Sequence, residues 1–157
     1  MKILVVVVGR VKGALATAVA EYEQRAQRYW KLEVLEVAAG VKGSRSAPPD
    51  RVLEAEAERI LARIPDELEV AALTRAGKGM TSVELAAYLE GLGTRASHGV
   101  AFVIGGAFGL GAPVLARARR RLSLSTLTMP HEMARVLLAE QLYRAGTIVR
   151  GEPYHKG

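Results

Sequence analysis

The chain has 157 residues, enough for one domain with its own core, and we expect a single domain over residues 1–157. It contains no cysteine, which excludes a disulfide framework and a thiolate zinc site and fits a reducing compartment such as the cytoplasm. The apolar run at residues 3–8 is too short to cross a bilayer, so we expect neither a membrane segment nor a signal peptide. The formal net charge of +6 indicates either a polyanionic partner, such as RNA, DNA or an anionic membrane, or only a well-solvated surface.

The first part of the chain predicts two strands and two helices. Residues 2–9 form a β-branched run closed by glycine, which is typical of a strand buried on both faces. Residues 14–30 have apolar residues at helical spacing, and residues 32–37 alternate as a second strand. Residues 40–49 predict a loop, either a solvated connector or a mobile arm that contacts phosphate. Asp50 is the expected cap of a helix over residues 51–64, which Pro65 ends.

The second part of the chain continues the alternation of strands and helices. Residues 67–74 predict a third strand, followed by a turn at residues 75–79. Thr81 and Glu84 have the spacing of a capping box, so we expect a helix from there to about Leu92. Residues 99–105 predict a fourth strand, and residues 105–111 a glycine-rich turn. The remaining elements are a helix from residue 113 to about 121, a strand over 122–128, a helix from about 132 to 145 and a polar, basic tail over 147–157.

This order predicts an α/β fold with a mostly parallel sheet and helices on both of its faces. In sheets of this kind the ligand crevice lies outside the carboxyl ends of the strands. Three predicted strand ends, at residues 73–74, 104–106 and 127–129, could meet at one edge. We therefore expect the site at that edge.

Several familiar motifs are incomplete in this chain. A dinucleotide fingerprint starting at Gly109 would need glycine where Val114 stands, which counts against a nucleotide-dependent oxidoreductase. His131 and Glu132 begin like a zinc-protease helix, but Arg135 occupies the position of the second histidine. With three histidines and no cysteine in the whole chain, we expect no metal.

The glycine cluster around Gly105 and the serine- and threonine-rich segment after it remain as candidates for a ligand pocket. Glycines let the backbone approach a ligand closely, and the later segment offers hydroxyl groups between apolar walls. The hydroxyl groups are those of Ser125, Thr126 and Thr128, and the walls are Leu124, Leu127 and Met129. The alternative is that the glycines form only a tight turn and the leucines belong to an ordinary core.

An ordered set of short segments resembles one known family. The segments are Val7-Val8-Gly9, Leu73, Gly77-Lys78, Val103-Ile104-Gly105-Gly106, Gly109-Leu110, Leu122-Ser123-Leu124-Ser125, Leu127-Thr128, Pro130-His131, Arg135, Glu140-Gln141, Tyr143-Arg144-Ala145 and Tyr154-His155-Lys156. Together they span nearly the whole chain. With them, the chain resembles the ribosomal RNA large subunit methyltransferase H family of the SPOUT superfamily.

The resemblance implies methyl transfer from S-adenosylmethionine to N3 of a pseudouridine in 23S rRNA, in the stem-loop that bridges the ribosomal subunits. It also implies a trefoil knot in the C-terminal half, which holds the cofactor in a bent conformation. The implied partners are 23S rRNA, within the large subunit or the assembled ribosome, and a second copy of the chain in a homodimer with a shared active site. Neither a metal nor a membrane is implied.

The family's cofactor positions fall on Leu73, Gly105, Leu124, Ser125, Thr126, Leu127, Thr128 and Met129. N3 of the target base has a proton, so a base is useful, and His155 is the first candidate to remove it. Tyr154 would stack on or orient the nucleotide. His131 and Arg135 would orient the substrate or a phosphate, although His131 could equally be a structural group at a helix start.

Two positions depart from the family pattern. Ala107-Phe108 replaces a turn that often has Pro or Ser followed by Glu or Asn, and Thr74 stands where an acidic residue often follows the leucine. Both departures could change affinity or substrate contacts without removing a backbone-based grip on the cofactor. The alternative function is a non-catalytic ribosome-binding or assembly factor, which would use the same basic surface but would not bind S-adenosylmethionine saturably.

Overall fold

Five strands and five helices alternate along the chain in a computed structural model that describes residues 1–157. The strands are β1 (Lys2–Val8), β2 (Lys31–Val37), β3 (Glu69–Gly79), β4 (Gly99–Ile104) and β5 (Arg120–Ser123). The helices are α1 (Ala14–Ala26), α2 (Pro49–Leu61), α3 (Ser82–Thr94), α4 (Ala112–Arg117) and α5 (His131–Val149). The sheet order is β2-β1-β4-β3-β5, and every neighbouring pair is parallel. The predicted α/β class with a parallel sheet is confirmed.

The core is divided into two clusters, one on each face of the sheet. Along β1, the odd-numbered residues from Ile3 to Val7 join a cluster with residues of α1, α3 and α5. The even-numbered residues from Leu4 to Val8 join a second cluster with residues of α2 and α4. Because successive side chains of a strand point to opposite faces, an unbroken apolar run is what a doubly covered strand requires. The prediction of helices on both faces is confirmed.

The predicted turn at residues 75–79 is wrong, because β3 continues through it to Gly79. β3 pairs with β5 in two registers, first Leu73 with Leu122 and then Lys78 with the same Leu122, and the chain is irregular in between. Gly77 allows the close approach, since a Cβ there would lie 2.7 Å from the backbone carbonyl carbon of Arg121. Pairing with a strand so distant in sequence cannot be read from local turn composition.

The predicted fifth strand over residues 122–128 is misplaced, and the helix before it ends sooner than expected. α4 ends at Arg117, and the N–H of Arg119 donates to the carbonyl of Val70 at 2.9 Å, which returns the chain to the sheet. β5 then includes Arg120, whose guanidinium lies 4.3 Å from the centre of the Tyr88 ring. Arg120 and Arg121 therefore lie in the strand, and residues 124–129 form a loop.

Several helix ends also differ from the predictions. Asp50 lies in the first turn of α2 rather than at its cap, because the helix begins at Pro49, a residue that fits the first turn of a helix. α1 and α2 end at Ala26 and Leu61, earlier than residues 30 and 64, and α5 extends to Val149, beyond residue 145. The capping box is confirmed: the N–H of Glu84 donates to Thr81 Oγ1 at 3.1 Å, and the N–H of Thr81 donates to Glu84 Oε2 at 2.7 Å.

The predicted loop connects β2 to α2 and is attached to α2 at its start. The N–H of Gly40 donates to Glu56 Oε2 at 2.8 Å, and Arg59 donates to the carbonyls of Ala38 and Gly40 at 2.8 and 2.6 Å. Lys42 and Arg45 are exposed beyond this attachment.

No helix combines the length and the apolar composition that a membrane crossing requires. The trefoil knot, which only the resemblance implies, stays a prediction.

Candidate functional site

A cavity of about 370 Å³ opens at the carboxyl ends of β4 and β5 and at the point where the regular first part of β3 ends at Leu73, and the first turn of α5 closes one side of it. Its lining residues are Leu73, Thr74, Arg75, Ala76, Ile104, Gly105, Gly106, Gly109, Leu110, Leu124, Ser125, Leu127, Thr128, Met129, His131 and Ala134. The size is within the range of small-molecule sites. The cavity therefore lies where parallel α/β sheets place their ligands.

Seven of the eight residues predicted to hold a cofactor line this cavity, and Thr126 does not. The other lining residues were not predicted to contact the cofactor. One of them, His131, was predicted to contact the substrate. Most of them follow the strand ends that were predicted to meet, or belong to the glycine cluster. The region was therefore predictable from the sequence, but the contribution of Ala134 in α5 was not.

The glycine turn after β4 exposes bare backbone to the cavity. A Cβ on Gly105 would lie 2.4 Å from the carbonyl oxygen of Gly109, so no other residue fits there without moving the turn. The turn is closed by a hydrogen bond from the N–H of Gly109 to the carbonyl of Gly106 at 3.1 Å, and Gly109 has a φ of 80°. Such a conformation strongly favours glycine.

The loop over residues 124–129 is shaped by its own hydroxyl groups. Ser123 Oγ donates to the carbonyl of Ser125 at 2.8 Å, and Ser125 Oγ accepts the N–H of Leu127 at 3.0 Å. Arg75 donates to Thr128 Oγ1 at 2.5 Å, which joins the end of β3 to this loop. Leu127 is 75% exposed and lies at the rim of the cavity. The hydroxyl of Ser125 therefore fixes the loop rather than pointing freely to a ligand.

His131 begins α5 and lines the cavity. Its Nε2 lies 2.9 Å from Glu132 Oε1, whereas its Nδ1 is buried with no hydrogen-bond partner. Its ring packs against Gly9 at the end of β1, where a Cβ would lie 3.0 Å from the ring carbon Cε1. A buried ring nitrogen without a partner is unfavourable, so a hydrogen bond gained by Nδ1 would stabilise this end of α5.

The structure places Arg135 outside this cavity. Its side chain donates to Glu23 of α1 at 2.7 Å and to Glu36 of β2 at 2.6 Å, and the residue is only 8% exposed. Burial alone would lower its pKa, but the hydrogen bonds to Glu23 and Glu36 outweigh burial and raise the pKa. Arg135 therefore ties α5 to α1 and β2, and it does not line the cavity; its role toward the substrate stays a prediction.

The C-terminal tail folds back on α5. Tyr154 donates to Glu140 Oε1 at 3.0 Å, and its ring centre lies 4.6 Å from that of Tyr143. Burial first, and then the hydrogen bond to Glu140, raise the pKa of Tyr154 to about 12. Arg144 lies 3.3 Å from Nδ1 of His155, and since arginine only donates, this nitrogen is the acceptor.

The tail and the cavity lie toward opposite ends of α5 within one chain. At 1.5 Å per residue, Glu140 is about 13 Å and Arg144 about 20 Å along the helix axis from His131. Tyr154 and His155 contact the distal residues of the helix. The structure therefore brings His131 to the predicted cofactor residues, but it does not bring Tyr154 or His155 to them.

The arginines at residues 117–121 lie near the amino end of β5. The cavity lies at the other end of this strand. Arg117 donates to the carbonyls of Asp66 and Leu68, and Arg119 and Arg120 lie 3.6 and 3.9 Å from Glu69. These contacts favour a local structural role for the cluster. The cations on the side of the cavity belong to the loops that follow β1 and β2 and to the part of β3 after Leu73; they are Arg10, Lys12, Lys42, Arg45, Arg75 and Lys78.

The charges around the cavity are one-sided. Arg75 and His131 line it, and no aspartate or glutamate does. No group of three or more histidine, aspartate or glutamate side chains in the structure could hold a metal ion. Of the two departures from the family pattern, Thr74 lines the cavity and Phe108 lies in the glycine turn with half of its surface exposed.

Comparison with known proteins agrees with this geometry. Residues 1–155 match a family described as predicted SPOUT methyltransferase. A relative named ribosomal RNA large subunit methyltransferase H from Gemmatimonas aurantiaca is 50% identical over 99% of this chain and 100% of its own. Relatives with the same name from Listeria monocytogenes and Clostridium beijerinckii are 44% and 41% identical over the same shares.

Two solved structures have a similar fold at low sequence identity. A probable methyltransferase from Bordetella pertussis has a TM-score of 0.58 at 16% identity, over 92% of this chain and 95% of its own. A probable methylase family protein from Haemophilus influenzae has a TM-score of 0.54 at 14% identity, over 99% of this chain and 70% of its own. These two support the fold alone. On the match over residues 1–155 and identities of 41–50% over nearly the full length, the chain belongs to the SPOUT methyltransferases and, among them, to the ribosomal RNA large subunit methyltransferase H family.

Proposed function

We propose that this chain transfers a methyl group from S-adenosylmethionine to N3 of a pseudouridine in 23S rRNA, in the stem-loop that bridges the ribosomal subunits. The proposal rests mainly on one observation: the residues that the family resemblance assigns to the cofactor line a single cavity. The relatives are named for methylation of large-subunit ribosomal RNA. The exposed cations on the side of the cavity suit an RNA backbone.

The cavity suits S-adenosylmethionine in size, and its lining suits the apolar and hydrogen-bonding parts of that molecule. Leu73, Leu124 and Met129 would contact the apolar parts of the cofactor, while the backbone at Gly105 and at residues 124–129 would bind its polar edges. When bound, the cofactor supplies a methyl group on a sulfonium, an activated leaving group that needs no metal. The contribution of the protein is then chiefly to position the two reactants.

The tail residues would act in the active site of the partner subunit. Within one chain they lie too far along α5 to contact a ligand in the cavity, so the proposal requires a homodimer in which each tail completes the other chain's site. His155 would remove the N3 proton, and Tyr154 would stack on or orient the base. Because Nδ1 of His155 accepts from Arg144, this nitrogen can take up the N3 proton only when that contact is released.

The remaining features of the proposal follow the resemblance. The chain would act in the cytoplasm as one domain, with a trefoil knot in its C-terminal half, on 23S rRNA within the large subunit or the assembled ribosome. His131, with its buried and unpartnered Nδ1, is the residue of this chain that would orient a polar group of either reactant.

The proposal is tested by mass spectrometry of 23S rRNA fragments after incubation with the protein and isotopically labelled S-adenosylmethionine. Substrates should include free rRNA, large subunits and assembled ribosomes. We expect one labelled methyl group on a pseudouridine of the bridging stem-loop. Absence of label from all three substrates would contradict the proposal.

Removal of residues 154–157 tests the role of the tail. We expect the affinity for S-adenosylmethionine to stay nearly unchanged and turnover to be abolished, since the tail does not line the cavity of its own chain. Unchanged turnover would exclude this role.

Calorimetry on the full-length protein separates the proposed function from its alternatives. An assembly factor would show no saturable binding of S-adenosylmethionine, and an oxidoreductase would bind NAD instead.

A further inference from the structure

Glu56, in the middle of α2, is the only carboxylate among the fully buried residues, with 3% of its surface exposed. Its Oε2 accepts the N–H of Gly40 at 2.8 Å, but its Oε1 is buried without any partner. It forms no salt bridge, since Arg59, one turn further along α2, donates to backbone carbonyls instead. A buried carboxyl group without an ion pair is unfavourable for folding, so packing alone does not explain why a glutamate stands at this position.

Glu56 lies directly behind the wall of the cavity. Gly106 lines the cavity, and a Cβ on this glycine would lie 3.3 Å from Glu56 Oε1 and 3.4 Å from Oε2. One glycine residue therefore separates the carboxylate from the cavity. Because Glu56 is buried, solvent screens a charge on its carboxylate poorly, and such a charge reaches across this distance.

The cavity itself lacks the charge that a cationic ligand requires. Its lining includes Arg75 and His131 but no carboxylate. The sulfonium of the proposed methyl donor has a permanent positive charge that no change of pH removes. We propose that Glu56 is the counter-charge for this sulfonium, acting through Gly106 as a positioning residue; this inference rests on the proposed function.

The chemistry of the transfer makes the effect selective. The methyl–sulfur bond breaks with its electron pair staying on sulfur, a bond to N3 forms, and the N3 proton leaves to a base. Sulfur thereby changes from a cation to a neutral thioether, while the rest of the cofactor keeps its charges. Glu56 therefore stabilises the bound donor much more than the bound product, S-adenosylhomocysteine, and favours exchange of product for fresh donor.

A purely structural role predicts a different outcome. As a structural residue, Glu56 would only attach the β2–α2 loop by accepting the N–H of Gly40. Glutamine keeps an oxygen that accepts this N–H and removes only the charge. The variant Glu56→Gln therefore separates the two roles, and Glu56→Asp, which keeps the charge on a shorter side chain, is its complement.

The experiment is calorimetry of the full-length protein with S-adenosylmethionine and, separately, with S-adenosylhomocysteine. For Glu56→Gln we expect the affinity for the donor to fall about three- to tenfold and that for the product to change less than about twofold. Glu58→Gln removes an exposed carboxylate from the same helix. It is the matched control and should change neither affinity. Glu56→Asp should keep the ratio of the two affinities close to that of the unsubstituted protein.

The outcomes that overturn the inference are distinct from those that overturn the proposed function. An equal loss of both affinities in Glu56→Gln, no loss of either, or a lost preference in Glu56→Asp would overturn the inference alone. If Glu56→Gln does not fold, a lost preference for the donor in Glu56→Asp still overturns the inference. Failure of the unsubstituted protein to bind S-adenosylmethionine would overturn the proposed function, and this inference with it.

Discussion

Replacement of Gly105 by alanine tests whether the backbone of the glycine turn forms the cofactor site. The added methyl group would lie 2.4 Å from the carbonyl oxygen and 2.6 Å from the carbonyl carbon of Gly109, and 3.1 Å from Leu110 Cδ2. Two of these three atoms are backbone, so rotation of a side chain cannot relieve the contact. The turn has to retreat by about 1 Å to restore ordinary van der Waals distances.

Overpacking of this kind costs about 1–3 kcal/mol. If the strain displaces the turn against the cofactor, the dissociation constant of S-adenosylmethionine rises by a factor of about 5 to 150. If the strain is instead released by unfolding, each kcal/mol lowers the melting temperature of a domain of this size by about 2–4 °C. Isothermal titration calorimetry and thermal denaturation on the same sample measure both contributions.

Gly93→Ala is the matched control for this substitution. Gly93 lies in α3, and a Cβ there would meet no atom within 4 Å. Alanine favours the helix by about 1 kcal/mol, so we expect equal or higher stability and unchanged cofactor binding. A Gly105→Ala protein with both the affinity and the melting temperature of the unsubstituted protein would refute the assignment of the turn to the site.

Three further predictions concern the ion pair, the tail and the loop. Arg135→Met leaves two carboxylates without their partner and should lower the free energy of unfolding in urea by about 3 kcal/mol, while the activity of the folded fraction is kept; a large loss of turnover without destabilisation would contradict this. The raised pKa of Tyr154 means that the folded protein holds this proton more tightly than the unfolded chain, so its contribution to stability is complete below pH 10 and is lost as the pH rises through about 12. Thermal melts in this window should show a smaller decline for Tyr154→Phe, and an identical decline would contradict the shift. If the β2–α2 loop contacts phosphate, Lys42→Ala with Arg45→Ala should weaken rRNA binding and reduce its salt dependence, whereas Lys31→Ala at the opposite sheet edge should do neither.

The sequence was sufficient for the fold class, because the apolar runs report burial directly. The run from Ile3 to Val8 is apolar at every position, and in the structure its alternate residues enter the two clusters of the core. The capping box of Thr81 and Glu84 was also predictable, because it depends only on residues three apart in the chain. The extension of β3 through residues 75–79 depends on β5, and local composition gave no sign of it.

The site shows the same division between local and long-range information. The strand ends that form the cavity were predicted, because parallel strands bring their carboxyl ends to one edge. Arg135 is one helical turn beyond His131, so the sequence suggested a shared site. Its actual partners, Glu23 and Glu36, come from α1 and β2, and no spacing rule connects them to α5. The distance between the tail and the cavity follows from the contacts of the tail with Glu140, Tyr143 and Arg144, which no local pattern predicted.

A crystal structure of the protein with S-adenosylmethionine tests the central claim most directly. We expect one cofactor molecule in contact with Leu73, with the backbone at Gly105 and with residues 124–129, and with the tail of a partner subunit close to its methyl group. A cofactor bound elsewhere, or a cavity left empty at saturating concentration, would contradict the claim that these strand ends bind the methyl donor.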